Sequence, residues 1–279
     1  MSKIIEQELS LQQIQQESLK VLLKIDEICK ENGWRYFLFY GTLLGCIRHQ
    51  GFIPWDDDID IWMPREDFEK FSSWCEEHEK DLKPFKLCNR KNTKNYVYAI
   101  PRFSNMEYKY INTYEKLQQF DIGVFVDIYP IDNFCSSYKK AKELERKINI
   151  YNILYNIYVN GMEEKKIFKR MLKLVIRTII ILFKGQNWNL CVDKEIADLI
   201  YRKTTNNDLF IGDPVWKNPY NYIAQRQSFT ESISKSFCGY EFPVPKEYDK
   251  ILTELYGDYM VLPPKDKQIA HHNYKIYLR

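Results

Sequence analysis

Ile53-Pro54-Trp55-Asp56-Asp57-Asp58-Ile59-Asp60-Ile61 places four carboxylates within five residues, inside a run otherwise apolar enough to be buried. Ionised carboxylates so crowded repel one another and resist leaving water unless a cation or protons offset them. In a strand, alternate side chains share a face, which sets Asp56, Asp58 and Asp60 on one side. Ile53, Trp55, Asp57, Ile59 and Ile61 fall on the other. Asp58 and Asp60 then make a pair suited to a hard divalent cation, magnesium or, second, manganese. Magnesium takes carboxylate oxygens at about 2.0–2.1 Å. Asp57 therefore sits on the apolar face unless the strand begins after it; it is read as a structural hydrogen-bond acceptor, and Asp56 as a supporting group beside the pair. A cation site on a rigid strand implies an enzyme.

A third carboxylate lies in Phe125-Val126-Asp127-Ile128-Tyr129-Pro130, an apolar run in which a lone aspartate is costly without a partner. If the two runs are neighbouring strands, Asp127 completes a three-carboxylate cluster. Upstream, Trp34–Tyr40 reads as a buried strand, broken at Gly41-Thr42. Backbone N–H groups at such a strand-to-helix turn can cradle a phosphate, and glycine permits close approach.

The rest of the chain frames these runs. Ser10 followed by Gln13 forms a capping-box pattern ahead of Leu11, Ile14, Leu19, Leu22, Ile25 and Cys29 at helical spacing, with Asn32-Gly33 as the stop. A short helix is predicted over Leu43–His49, a strand through the acidic run to Pro64, and a helix carrying Phe68, Phe71 and Trp74-Cys75. Further strands are predicted around 96–103 and 123–128, and helices over 137–160, 163–183 and 188–204. A looser tail follows, with a helix over 246–256. The order predicts an α+β fold: a mixed sheet with flanking helices over 10–135, then a helical region and tail over 136–279 packed on it.

Composition narrows the function. The 279 residues are 45% hydrophobic and 28% charged, as in a globular protein. A net charge of +3 gives no argument for nucleic acid. Seven scattered cysteines without a C-x-x-C pair read as free thiols, and the N-terminus lacks an apolar signal core, so a cytoplasmic location is expected. The 21 tyrosines suit polyhydroxylated substrates or half-buried strands. Trp34, Trp55, Trp62, Trp188 and Trp216 offer either faces for a quaternary ammonium or core bulk.

Tyr40-Gly41-Thr42-Leu43-Leu44-Gly45, Arg48 and Gly51–Ile61 resemble the signature of the LicD family, which includes bacterial phosphocholine transferases and is related to fukutin-type sugar phosphotransferases. Phe125–Asp132 and Leu255-Tyr256-Gly257-Asp258-Tyr259-Met260 with Leu262-Pro263-Pro264 match as well, so the resemblance runs from about residue 10 to the end. It implies a nucleotidyltransferase-like fold of the DNA polymerase β type, whose carboxylate triad binds two magnesium ions. It further implies transfer of a phospho-substituent, phosphocholine foremost, from a cytidine diphosphate donor such as CDP-choline. The acceptor would be a hydroxyl of a cell-surface glycan, teichoic acid or lipopolysaccharide precursor, including a lipid-linked one. Asp58 and Asp60 would hold the metals, and Asp127 would be the third ligand or the base. Gly41, Thr42, Arg48 and Arg102 would meet phosphate, and His272, in the pair His271-His272, would contact substrate.

Three rival readings remain. An Asp-x-Asp glycosyltransferase normally carries a long nucleotide-binding half before its motif, which here arrives at residue 58. A true nucleotidyltransferase would leave the nucleotide on the acceptor. A glycan-binding pseudoenzyme predicts a degraded carboxylate set, and this chain keeps Asp58, Asp60 and Asp127. One stretch is ambiguous: Ile167–Phe183 is bulky and apolar but interrupted by Lys169, Arg170, Lys173 and Arg177, so it cannot span a bilayer. It reads first as a core helix with snorkelling cations, and second as a basic amphipathic helix on the inner membrane surface.

Overall fold

The computed structural model describes residues 7–94, 96, 98–112, 120–160, 166–186, 188, 191–205, 208–213, 223–269 and 274–279. The architecture is α+β, built on one mixed sheet. Helix α1 (Leu11–Asn32) opens with both halves of the Ser10/Gln13 capping box and closes on Gly33 in the left-handed conformation. It buries Val21, Leu22, Ile25 and Ile28 and packs on the sheet.

The sheet runs in the order β1 (Phe37–Leu38), β2 (Asp60–Pro64), β6 (Val124–Asn133), β4 (Arg102–Asn105), β3 (Phe85–Cys88). Strand β2 is parallel to β6, and β4 is antiparallel to it. The central strand β6 is buried along nearly its whole length, which is why its sequence reads as a continuous apolar run. Helix α3 (Arg65–Glu77) begins as β2 ends, with Pro64 preceding its first turn, and buries Phe68, Phe71 and Cys75. Beyond α3, β5 (Tyr108–Asn112) pairs with the C-terminal strand β11 (Tyr274–Leu278).

Two local expectations are corrected. The strand over Trp34–Tyr40 shrinks to Phe37–Leu38, because helix α2 (Tyr40–His49) already starts at Tyr40, held at φ 45°. The acidic run is not a strand until Asp60: a turn at Pro54-Trp55 precedes an irregular segment over 56–59.

Helices α4 (Tyr138–Asn160), α5 (Ile167–Lys184) and α6 (Val192–Lys203) share a second core that includes Phe134, Leu144, Ile148, Tyr155, Ile180, Trp188 and Ile196. The short strands β7 (Phe210–Gly212) and β8 (Ile223–Gln225) extend the end of β6. The looser tail contains a hairpin of β9 (Ser232–Phe237) and β10 (Tyr240–Pro245), followed by α7 (Tyr248–Tyr256). Its turn residues Cys238 and Gly239 both have positive φ, the requirement of a type I′ turn. Phe237, Phe242, Val244, Ile251 and Ile276 return to the first core.

The reading of 167–183 as a core helix is overturned. In α5 only Ile180 is buried, whereas Phe168 and Phe183 are 80% and 83% exposed.

Candidate active site

The sheet register builds the site. Asp60 on β2 stands opposite Asp127 on β6, and Asp127 in turn stands opposite Arg102 on β4, so three charged residues line up across three adjacent strands. The ladder bond from Asp127 N–H to the Ile59 carbonyl, 2.8 Å, fixes that register at the point where β2 begins. Asp58, one step before the strand, joins them: Asp58, Asp60 and Asp127 each offer a carboxylate oxygen within 4.8 Å of the others.

Several groups pin the irregular segment in place. Asp60 N–H donates to the Thr42 hydroxyl at 2.8 Å, and Gln15 Nε2 donates to the Asp56 carbonyl at 2.7 Å. Tyr274, returning on β11, donates its hydroxyl to the Asp57 carbonyl at 3.1 Å. Gly41 opens the first turn of α2 against Asp56; a Cβ there would sit 2.8 Å from an Asp56 carboxylate oxygen. The expectation that Asp57 faces away from its neighbours fails because the segment lacks strand alternation. Asp56, Asp57 and Asp58 form a second group of oxygens within 4.8 Å.

Electrostatically the cluster is over-determined. Burial first, then the charges of Asp58, Asp127 and Asp56, push the Asp60 carboxyl well above the usual carboxylate range, against a hydrogen bond from Tyr129 that lowers it. One Asp60 oxygen, Oδ1, is buried with no hydrogen-bond partner. Asp127 has a different environment: Arg102 Nε donates to its Oδ1 at 2.6 Å and Nη2 approaches Oδ2 at 3.4 Å. The Arg102 guanidinium is sandwiched between Tyr98 and Phe125, 4.1 and 3.9 Å from the ring centroids. Its Nη1 is buried without a hydrogen-bond partner.

The other expected residues are spread around this centre. Arg48 lies at the end of α2, where Nη1 donates to the Tyr259 carbonyl at 2.8 Å and ties the helix to the tail. Gly41 and Thr42 are both engaged with the acidic segment. His271 and His272 lie outside the described residues, as does Trp216. Trp62 and Trp188 are core residues and present no face to a ligand. Trp34 and Trp55 pack against the first core, half-buried.

Sequence reasoning missed the tyrosines that surround the carboxylates. Tyr129 follows Asp127 by two residues on β6 and bonds Asp60. Tyr256, at the end of α7, has its phenol held above the ordinary value by burial and by the charges of Asp60, Asp56 and Asp58. Tyr40, in its strained backbone, donates to Asp213. The unusual tyrosine count was the available signal, but composition does not place phenols in space.

A helix-flanked mixed sheet with carboxylates gathered at its strand ends is an arrangement suited to a group-transfer enzyme. Comparison with known proteins agrees. The family described as LicD/FKTN/FKRP, nucleotidyltransferase domain, matches residues 33–152, a span holding Asp58, Asp60, Arg102 and Asp127. The chain carries a LicD-family domain and is an enzyme of the phosphotransferase type. It is 26% identical over 97% of its length, and 98% of the relative's, to the lipopolysaccharide cholinephosphotransferase LicD of Haemophilus influenzae. An uncharacterized protein of Rickettsia typhi is 34% identical over 42% of this chain and 35% of its own. One of Rickettsia prowazekii is 49% identical over 18% of this chain and 19% of its own.

Proposed function

We propose that this enzyme transfers phosphocholine from CDP-choline to a hydroxyl of a lipopolysaccharide-type glycan, using a divalent cation held by Asp58, Asp60 and Asp127. The observation that carries the reading is the convergence of three carboxylates in a buried site where one Asp60 oxygen has no hydrogen bond. Such a donor set fits a hard cation, because charges this close are stable together only when opposed. The likeness along almost the whole chain to a cholinephosphotransferase supports the choice of transferred group.

When bound, magnesium at these oxygens supplies neutralisation of the phosphate and of the departing charge. The protein's own groups do the rest. The acceptor oxygen forms a bond to the phosphorus that carries choline, and the bond from that phosphorus to the bridging oxygen breaks. CMP leaves with the electron pair. The hydroxyl proton passes to Asp127 Oδ2, the oxygen that Arg102 holds less closely, or from there to solvent. Arg102 keeps Asp127 oriented, and its unpartnered Nη1 is the donor available to a phosphate oxygen.

The test is product analysis. The protein is incubated with CDP-choline, magnesium and lipopolysaccharide lacking phosphocholine, and the acceptor is weighed by mass spectrometry. A gain of one phosphocholine with stoichiometric CMP supports the proposal. Nucleotide retained on the acceptor, or a sugar added, replaces it with one of the rival transfers.

A further inference from the structure

Helix α5 is turned inside out. At about 100° per residue, Phe168, Met171, Leu172, Val175, Leu182 and Phe183 fall in one half of the helix circumference. All six are exposed, from 53% to 83%. The opposite half carries every one of the helix's cations: Lys169, Arg170, Lys173, Arg177 and Lys184. Beyond the first turn that half faces the protein: Ile180 joins the second core with Ile176 at its border, Arg177 lies 5.6 Å from the Tyr158 ring centroid, and Lys184 pairs with Glu195 at 2.8 Å, while Lys169 and Arg170 in the first turn are exposed. An ordinary surface helix buries its apolar stripe and shows its charges to water. Among the described residues nothing covers this one, and an exposed apolar face of this extent marks a binding surface.

The charge decides among possible covers. Residues 167–184 contain five cations and no carboxylate. A second copy of α5 laid on the first brings no opposite charge to meet these cations. An anionic lipid surface brings the opposite sign and an apolar layer beneath it. Among the described residues no helix is long and apolar enough to cross a membrane, so an 18-residue helix of about 27 Å would lie in the plane of the interface. Lys169 is exposed about 40° beyond Phe183, at one border of the apolar arc, and is placed to reach headgroups; Arg170, also exposed in the first turn, lies across the helix and adds its charge within about a Debye length of the surface.

We infer that α5 is a membrane-interface helix that docks the enzyme on anionic lipid through Phe168, Leu172, Leu182 and Phe183, with Lys169 contacting the headgroups and Arg170 adding positive charge close above them. The inference is independent of the transfer chemistry, since lipid binding is read without substrate. The experiment is co-sedimentation of the full chain with vesicles of phosphatidylcholine alone or mixed with phosphatidylglycerol, at low and high salt. Three proteins are compared: native, Lys169→Gln with Arg170→Gln, and Phe168→Ser with Leu172→Ser and Leu182→Ser. Every altered side chain is exposed, so circular dichroism and the melting temperature should match the native protein.

The native protein should bind the anionic vesicles at low salt. Removing two cations should weaken that binding roughly thirtyfold, at about 1 kcal/mol each, and the serine variant should lose binding at any salt. Three results overturn the inference: no native binding at low salt, equal binding to both vesicle types, or binding unchanged in the serine variant. Self-association in sedimentation velocity that the serine variant abolishes, without vesicle binding, would make α5 an interface between copies instead.

Discussion

The acidic segment and helix α5 break the same rule in opposite directions. At Asp60 a charged side chain is buried among other charges; at Phe168 and Phe183 large apolar side chains stand in water. Neither arrangement lowers the free energy of the isolated chain. The first raises it by desolvation and like-charge repulsion, the second by leaving apolar surface hydrated. The contrast between the two sharpens the proposals: each departure is the ground for a proposed partner of matching chemistry, a cation at the carboxylates and an apolar anionic layer at the helix. Elsewhere the protein follows the rule, as the fully buried β6 and the capped α1 show.

The largest effect should follow from removing the charges that the site crowds together. Asp58→Asn, Asp60→Asn or Asp127→Asn is expected to cut transfer by a factor of about a thousand or more, the scale seen when an electrostatic element of a transition state is lost. Circular dichroism should show an intact fold. Near-native turnover in either of the first two variants would break the comparison, because the burial of charge would then serve nothing.

Arg102 tests whether Asp127 is held by a partner that Asp60 lacks. Both members of that ion pair are almost fully buried, so Arg102→Ala leaves an uncompensated charge in the core. The expected loss is about 3–5 kcal/mol in urea denaturation. A loss near zero would mean that Asp127 is solvated and that the two carboxylates are not differently placed.

Asp60→Asn should do the reverse in the metal-free protein. A carboxyl whose folded value is raised binds more protons folded than unfolded, so native stability falls as pH rises through that window. The asparagine variant lacks this decline. It should be more stable near neutral pH, on the order of 1 kcal/mol, the scale of a typical single substitution. The gain should fade on acidification, when the native carboxyl is protonated in both states. Thermal melts in the presence of a chelator, across pH, measure it. A variant less stable than the native protein at neutral pH would contradict the crowding.

The smallest effect concerns the tail's grip on the acidic segment. Tyr274→Phe removes the bond to the Asp57 carbonyl and should lower stability by about 1 kcal/mol. Urea denaturation with an unchanged midpoint would show that β11 does not help to hold the site.

Local pattern revealed the pieces more readily than their assembly. The Ser10 cap, the helix after Pro64 and the helices near 138, 167 and 192 follow from spacing and cap residues. The acidic run stood out as a candidate cation site because charge density is visible in sequence. Its conformation was misread, since alternation over Ile59, Asp60 and Ile61 continues backward on paper but not through the Pro54-Trp55 turn. The Arg102–Asp127 pair needed the β4–β6 register, and the Tyr274 contact needed β11 to return beside β5; both are pairings between distant segments. The exposure of α5 was equally hidden, because an amphipathic pattern gives two faces without saying which one meets the protein.

Titration calorimetry with magnesium or manganese on the native protein and on Asp60→Asn tests the central claim most directly. Binding to the native chain that weakens at least about tenfold in the variant is the predicted result. Equal binding by the two proteins, or none by the native one, would contradict the account of the carboxylate cluster.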